Sequence, residues 1–189
     1  MIRALLDFVL LDIGGTLVDA APPATAVADL EVSLRADVLE DLAHLAAEGI
    51  RMAAVTDTAV MDEATVRGLL EPTGVAEHLL HIVTSVDVGA AKPDPTGVLV
   101  ALDRLGASTG HRVLMVGDDP VDAGAAAAAG IAYVDVEGGG VREAVHRWLR
   151  AQVGHGLDDA LDAIRPPDEA AMLAAEERQG RLTKPPGSM

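Results

Sequence analysis

Residues 8–19 read Phe-Val-Leu-Leu-Asp-Ile-Gly-Gly-Thr-Leu-Val-Asp, and the interpretation of the whole chain depends on them. Phe8–Leu11 is a short, continuous apolar run, which predicts a strand buried on both faces of a parallel sheet. This strand would present Asp12 at its carboxyl end, where open α/β sheets bind their ligands. Asp12 is therefore a candidate catalytic carboxylate. The alternative is an aspartate that only caps the turn at the glycine pair.

The rest of the chain alternates between predicted strands and helices. Short apolar runs bounded by turn residues predict four more strands, at 50–55, 81–85, 112–116 and 131–136. Apolar residues at helical spacing predict helices that include Leu34–Leu45, Asp62–Leu70, a helix capped by Asp94 with Leu99 on its buried face, 124–129 and a last one up to Leu149. Five strand–helix repeats are typical of an α/β fold with a Rossmann-like, doubly wound parallel sheet.

Composition excludes several classes of function. The formal net charge of −16 argues against binding to nucleic acids or anionic membranes, because both require a basic surface. The chain has no cysteine, which excludes disulfides and thiolate metal sites and leaves a cation with oxygen ligands. We find neither a signal-peptide pattern nor an apolar run long enough for a membrane helix, so we expect a cytoplasmic protein.

Polar residues follow several of the predicted strands. They are Asp12, Thr16, Thr56, Lys92 on a following loop, Asp118 and Asp122. Because the carboxyl ends of parallel strands share one edge, these side chains are expected to converge there. A nucleophilic carboxylate, further acids for a cation, and hydroxyl and ammonium groups for phosphate oxygens suit phosphoryl transfer.

Each of these residues also has a simpler interpretation. Thr56 could only cap the next helix, and Asp118 and Asp122 could be a helix cap and a solvated face. Lys92 could be a solvated loop lysine, yet it is the only lysine before residue 184. The convergence of all of them at one edge favours the functional interpretation.

Four motifs in this order resemble those of the haloacid dehalogenase superfamily, whose members are mostly Mg²⁺-dependent phosphatases. The motifs are Asp12-Ile-Gly-Gly-Thr16, Met52-Ala-Ala-Val-Thr56, Gly89-Ala-Ala-Lys-Pro-Asp-Pro95 and Gly117-Asp-Asp-Pro-Val-Asp122. The resemblance covers roughly Ile2–Leu149. It implies a phosphohydrolase that acts on a small phosphorylated substrate through an aspartyl-phosphate intermediate.

The resemblance also implies a role for each motif residue. Asp12 would be the nucleophile, and Thr16, Thr56 and Lys92 would complete the catalytic set. Substrate phosphate would be held by Gly15, Thr56, Asp57 and Lys92. Mg²⁺ would be bound by Asp12, the backbone carbonyl of Gly14, Asp118 and Asp122, the last of which could instead support Lys92.

The sequence departs from the family pattern in two places. Gly14 stands where family phosphatases usually have a second aspartate, the general acid that protonates the leaving oxygen. The interval Asp19–Ser33 has room only for a loop or a short helix, so a sizeable cap domain is absent. These departures support an alternative, a catalytically impaired module that binds phosphate or metal and mediates interactions.

The C-terminal segment 154–189 breaks the strand–helix alternation. We therefore predict an α/β core at 1–153, followed by a helical tail. The segments Leu161–Met172 and Arg181–Ser188 resemble the start of nicotinate-nucleotide:dimethylbenzimidazole phosphoribosyltransferase, a cobalamin-assembly enzyme. This resemblance implies a fused or truncated second domain, with α-ribazole 5′-phosphate as a candidate substrate; the alternatives are a tail that mediates homodimer formation or an ordinary helical tail.

Overall fold

The five predicted strands form one parallel sheet. The computed structural model describes residues 5–20, 27–107, 111–137 and 139–164 of the chain. Its strands are β1 (Phe8–Leu11), β2 (Arg51–Thr56), β3 (His81–Thr84), β4 (Val113–Gly117) and β5 (Ala132–Asp135). They lie in the order β3-β2-β1-β4-β5, and every neighbouring pair is parallel. The predicted parallel α/β fold is confirmed, with the first strand at the centre.

Helices cover both faces of this sheet. They are α1 (Val38–Ala47), α2 (Glu63–Leu70), α3 (Ser85–Val88), α4 (Thr96–Leu105), α5 (Pro120–Ala129) and α6 (Val141–Ile164). Val9 and Leu11 of β1 pack into a core cluster with residues of α1, α2 and α6. Phe8 and Leu10 face the other way and pack with residues of α4 and α5. Burial on both faces explains why β1 is apolar at every position.

The strand order reverses between β1 and β4, at the centre of the sheet. The chain runs outward from β1 through β2 and β3, then crosses to β4 and β5 on the other side. Leu11 at the end of β1 pairs in register with Val116 of β4. In doubly wound sheets, ligands bind at the carboxyl ends of strands where the order reverses. The residues that follow β1 and β4 therefore meet at this position.

The prediction that a helix begins at Leu34 was wrong. Leu34 forms an isolated antiparallel bridge with Val18, and α1 begins only at Val38. The helical spacing of Leu34 relative to α1 is thus incidental, because Leu34 is held by the segment that follows β1. Within the described part of residues 19–37, the one helical element is a short 3₁₀ turn at Val27–Asp29, which leaves no large cap.

The predicted start and buried face of α4 also need correction. Pro95 occupies the cap position and the helix begins at Thr96, while the Asp94 carboxylate accepts a hydrogen bond from the Thr96 backbone N–H at 2.9 Å. Leu99, predicted to be buried, is 49% exposed, and Ala101 is fully buried instead. Small residues face the sheet here, so α4 packs closely and turns Leu99 outward.

A buried carboxylate ties α1 to the start of α6. Asp41 on α1 is only 3% exposed. It accepts a hydrogen bond from the Arg142 backbone N–H at 3.0 Å and pairs with the Arg142 Nε at 3.3 Å. The carboxylate thus satisfies a backbone donor in the first turn of α6, which has no partner within the helix.

Residues 1–150 form one compact unit, and residues 151–189 are grouped as a second. Of the second unit, the structure describes residues 151–164, which are helical. The two tail segments that resemble the phosphoribosyltransferase lie wholly or mostly beyond these residues, so the domain boundary at 153 and the tail interpretation stay predictions. Within the described ranges, we find no helix that combines the length and the apolar character needed to span a bilayer.

Candidate active site

Polar residues predicted from the sequence meet at the carboxyl edge of the sheet. Asp12 directly follows β1, Thr56 ends β2, and Asp118 directly follows β4. Lys92 lies in the loop before α4, and Asp122 lies in the first turn of α5. Their positions at one edge follow from the parallel arrangement of the strands.

Lys92 links the carboxylates of two of these elements. Its Nζ donates to Asp12 Oδ1 at 2.5 Å and to Asp122 Oδ1 at 2.6 Å. A third bond goes to the Val55 backbone carbonyl at 3.3 Å. The Lys92 side chain is only 5% exposed, and the two carboxylates are equally buried or nearly so. Lys92 is therefore not a solvated loop lysine; it is a buried cation that holds Asp12 in place.

A glycine allows the loop after β1 to approach the loop after β4. Gly15 has a φ of +81°, and a Cβ on it would collide with the Asp118 carboxylate. The adjacent Thr16 donates its hydroxyl to Asp118 Oδ1 at 3.2 Å. Any side chain at position 15 would be strained and would displace Asp118.

Asp122 is fixed by contacts on both of its oxygens. One oxygen accepts from Lys92, and Oδ2 accepts from the Asp119 backbone N–H at 3.2 Å as part of a capping box at the start of α5. Asp119 supplies the other half of the box, accepting from the Val121 N–H at 3.0 Å. A Cβ on Gly117 would clash with Asp122, so the glycine at the end of β4 is required for this packing.

Three carboxylates at this edge could hold a metal ion. Asp12, Asp118 and Asp122 each offer an oxygen, and these oxygens lie within 4.8 Å of one another. An all-oxygen set with two or three negative charges matches Mg²⁺, which is bound through a few carboxylates and water. Gly14, the fourth predicted ligand through its backbone carbonyl, is exposed beside this group.

Burial and charge pairing have opposite effects on the pKa values of Asp12 and Lys92. Burial raises the pKa of Asp12 to about 7, although the charge and the hydrogen bond of Lys92 oppose this rise. Burial by itself would lower the pKa of Lys92, but Asp12 and Asp122 outweigh it and raise the pKa above its usual value. Lys92 thus stays protonated, and a further cation near Asp12 would favour its ionised form.

A cleft lies beside the site, lined by Ile13 and Gly14, which follow Asp12 in the sequence, and by Thr56 and Asp57 at the end of β2. Its volume is about 280 Å³. Thr56 is itself buried. The neighbouring Asp57 also lines the cleft, and both of its carboxylate oxygens accept from the Lys92 backbone N–H at 3.2 Å. In this arrangement Asp57 anchors the loop that carries Lys92.

Two features of the site were missed by sequence reasoning. Arg35 donates a hydrogen bond to the Gly15 backbone carbonyl, which braces the turn that carries Asp12. The apolar wall of the cleft comes from α2, the loop after β2 and the segment around residues 30–32. Nothing in the local sequence around Arg35 indicates its contact with Gly15. The apolar face of α2, in contrast, gave a partial signal for the cleft wall.

The chain belongs to the haloacid dehalogenase-like hydrolase family. The model of this family matches residues 24–130, which include Thr56, Lys92, Asp118 and Asp122. The match begins after Asp12, which is placed in the site by its contact with Lys92. The parallel sheet, the strand-end residues and the family match therefore agree.

Relatives in the family include two proteins named phosphoglycolate phosphatase. The chain is 38% identical over 104 residues to the phosphoglycolate phosphatase of Rhodospirillum rubrum. The aligned residues make up 55% of this chain and 42% of the relative. The chain is 34% identical over 102 residues to the protein of the same name from Mesorhizobium japonicum, covering 54% and 43% of the two chains. The chain therefore spans less than half the length of either relative.

Solved structures support the fold. A protein from Listeria monocytogenes serotype 4b superposes with a TM-score of 0.60 at 27% identity, covering 69% of this chain and 78% of that one. CbbY from Rhodobacter sphaeroides, solved in complex with phosphate, superposes with a TM-score of 0.55 at 19% identity, covering 69% and 85%. At 19% identity the second likeness concerns the fold alone.

Proposed function

We propose that the chain is a Mg²⁺-dependent phosphohydrolase that acts on a phosphomonoester, with Asp12 as the nucleophile. The observation that carries the proposal is the buried Lys92, whose Nζ lies 2.5 Å from Asp12 and 2.6 Å from Asp122. A buried cation that orients one carboxylate beside a second carboxylate group is an arrangement suited to phosphoryl transfer.

In this proposal, one oxygen of Asp12 attacks phosphorus as the bond between phosphorus and the leaving oxygen breaks. The electron pair of that bond departs with the leaving oxygen, which takes a proton from water. Water then attacks phosphorus of the aspartyl phosphate, which releases phosphate and restores Asp12. Lys92, Thr56 and the backbone at Gly15 would hold the phosphoryl oxygens.

Mg²⁺ would be held by Asp12, Asp118 and the Gly14 carbonyl, and a bound Mg²⁺ would neutralise charge on the phosphoryl oxygens. Asp122 has both oxygens engaged by protein donors, so we assign it to positioning Lys92 and keep direct binding of the ion as the alternative. Thr16 would orient Asp118 through its 3.2 Å hydrogen bond.

Phosphate release from a panel of esters that includes phosphoglycolate tests the proposal. We expect release with Mg²⁺, its loss with EDTA, and a decrease of at least about 10³-fold in kcat for Asp12→Asn, because the nucleophile is removed. The matched control is Asp37→Asn, at an exposed aspartate outside the site. Equal residual activity in wild type and Asp12→Asn would refute the assignment.

A second candidate function is an impaired module that binds phosphate or metal without efficient turnover. The observation that favours it is Gly14, which offers no proton donor beside Asp12. A Cβ added to Gly14 meets no atom within 4 Å, so an aspartate fits there without displacing the backbone. If Gly14→Asp raises kcat by about 10²-fold or more, as expected for a restored general acid, the parent is an impaired catalyst. Rapid turnover by the parent would exclude this second candidate.

A narrower proposal concerns the substrate and the tail. We propose α-ribazole 5′-phosphate as a substrate and a fused phosphoribosyltransferase domain, or a homodimer formed through the tail, as the partner. The support is the resemblance of the tail segments, most of which lie outside the described residues. Hydrolysis of other esters without hydrolysis of α-ribazole 5′-phosphate would rule out the substrate, and sedimentation of the chain with and without residues 165–189 would test the dimer.

A further inference from the structure

The cleft beside Asp12 has a mostly apolar wall. Its volume is about 280 Å³. Its apolar lining includes Ile13, Val18, Leu30, Val32, Met61, Val66, Leu69 and Leu70. Most of these come from α2 and from the described segments between β1 and α1. An apolar wall of this kind binds uncharged groups by removing their surface from water.

The charged residues that line the same cleft are all acidic. They are Asp19, Glu31 and Asp57, and none of the described lining residues is Lys, Arg or His. Segment 21–26, which lies between lining residues in the sequence, contains no charged side chain. The two cations of the neighbouring site have other partners: Lys92 bonds Asp12 and Asp122, and Arg35 bonds the Gly15 carbonyl.

The position of the cleft relates it to the leaving group of a substrate. Gly14 is the second residue after Asp12, Thr56 ends the strand that pairs with β1, and both residues line the cleft. Lys92 Nζ donates to Asp12 Oδ1 and to Asp122 Oδ1, so this oxygen of Asp12 is already held by a buried cation. A phosphoryl group held at Asp12 would therefore extend its ester substituent past Gly14 and Thr56 into the cleft.

We infer that the cleft selects phosphomonoesters whose leaving group is uncharged and largely apolar, and rejects leaving groups that carry a carboxylate or a second phosphate. This inference rests on the proposed function and names the substrate class of the same site. The apolar wall favours uncharged leaving groups. The carboxylates of Asp19, Glu31 and Asp57, which we call the rim carboxylates because these residues are exposed, repel charged ones. Phosphoglycolate, whose leaving group carries a carboxylate, belongs to the rejected class.

A matched pair of aryl esters tests the selection. Phenyl phosphate and 4-carboxyphenyl phosphate differ by one carboxylate and have similar leaving oxygens. A like charge at contact distance weakens binding by about fivefold even in water, and several carboxylates line the cleft. We therefore expect kcat/KM to be about tenfold or more higher for phenyl phosphate than for 4-carboxyphenyl phosphate. Hydrolysis of both esters with equal kcat/KM would overturn the inference and leave the proposed function intact.

Binding to the Asp12→Asn variant separates the inference from catalysis. Calorimetry with Mg²⁺ and each aryl ester measures selection even if the wild-type protein hydrolyses neither. We expect phenyl phosphate to bind about tenfold more tightly than the carboxylated ester. Equal affinities, or no binding of either ester, would overturn the inference, whereas selective binding without turnover would refute only the proposed function.

A charge reversal at the rim tests the role of the carboxylates directly. Glu31→Lys places a cation at the cleft, and Glu77→Lys makes the same change of net charge at an exposed residue that does not line it. We expect Glu31→Lys to reduce the preference for phenyl over 4-carboxyphenyl phosphate by about fivefold or more, with Glu77→Lys leaving it unchanged. The same preference in both variants would mean that the rim carboxylates do not select the substrate.

Discussion

Replacement of Lys92 by methionine should destabilise the protein strongly. Lys92 is 5% exposed and bonds two carboxylates that are 9% and 1% exposed. Lys92→Met keeps much of the side-chain volume but leaves Asp12 and Asp122 without their buried counter-ion. Removing one partner of a buried ion pair costs about 3–5 kcal/mol. We expect a loss of this size in the free energy of unfolding.

The measurement is urea denaturation with EDTA at a pH above 7, where Asp12 is ionised in the wild-type protein. Arg67→Met is the control, because Arg67 pairs with Glu63 at the surface of α2, with both side chains about one-third exposed. A surface pair of this kind contributes about 0–1 kcal/mol. If Lys92→Met loses no more than the Arg67 variant, the buried pair does not have the energetic role inferred from its geometry.

A second change distinguishes charge from packing at the same place. Lys92→Met combined with Asp122→Asn should lose less stability than Lys92→Met alone, since a neutral amide replaces one of the two carboxylates left without a partner. Added Mg²⁺ should also recover part of the loss in Lys92→Met, because a bound ion stabilises the folded state. Identical losses for the single and double variants would indicate that packing, not charge, is responsible.

Three further predictions concern the turn, the pH dependence and the start of α6. Gly15→Ala should abolish Mg²⁺-dependent activity, because Gly15 has a φ of +81° and an added Cβ would clash with the Asp118 carboxylate. Gly14→Ala should fold and bind Mg²⁺ normally, as measured by calorimetry, because a Cβ on Gly14 meets no atom within 4 Å. Burial raises the pKa of Asp12 from 3.8 to about 7. Between these values the folded state binds the proton more tightly, so the free energy of unfolding should fall with rising pH more steeply in wild type than in Asp12→Asn, in EDTA. Asp41→Ala should lose about 1–3 kcal/mol in urea denaturation by removing a buried acceptor, whereas the exposed Glu40→Ala should lose less than about 1 kcal/mol. Parallel pH profiles, or equal losses for the last two variants, would contradict these expectations.

The positions of the five strands and the residues at their ends could be predicted because both depend on local sequence. A continuous apolar run indicates a strand buried on two faces, and the residue after it must lie at the sheet edge. Asp12 and Asp118 were found in this way. Lys92 was found because it is the only lysine before residue 184 and it lies in a loop before a predicted helix.

Contacts that depend on the path of the chain in three dimensions could not be predicted. Leu34 has helical spacing with the residues of α1, yet it forms an antiparallel bridge with Val18. The chain therefore turns back between these two residues before α1 begins. Leu99 points outward because small residues bring α4 close to the sheet. The cleft wall was predicted only in part, since the sequence indicated the apolar face of α2 but not that Met61 and Leu69 line a cleft.

The acidic rim of the cleft also affects how fast a substrate can arrive. The proposed substrate, a phosphomonoester, is itself an anion, and it would approach a protein with a formal net charge of −16 and a cleft lined by three carboxylates. Repulsion of this kind slows diffusional encounter, and dissolved ions screen it over a Debye length of about 10 Å at 0.1 M ionic strength. The association rate should therefore increase with salt, opposite to the behaviour of enzymes that attract anionic substrates. Ionic strength would thus control how often a substrate reaches Asp12.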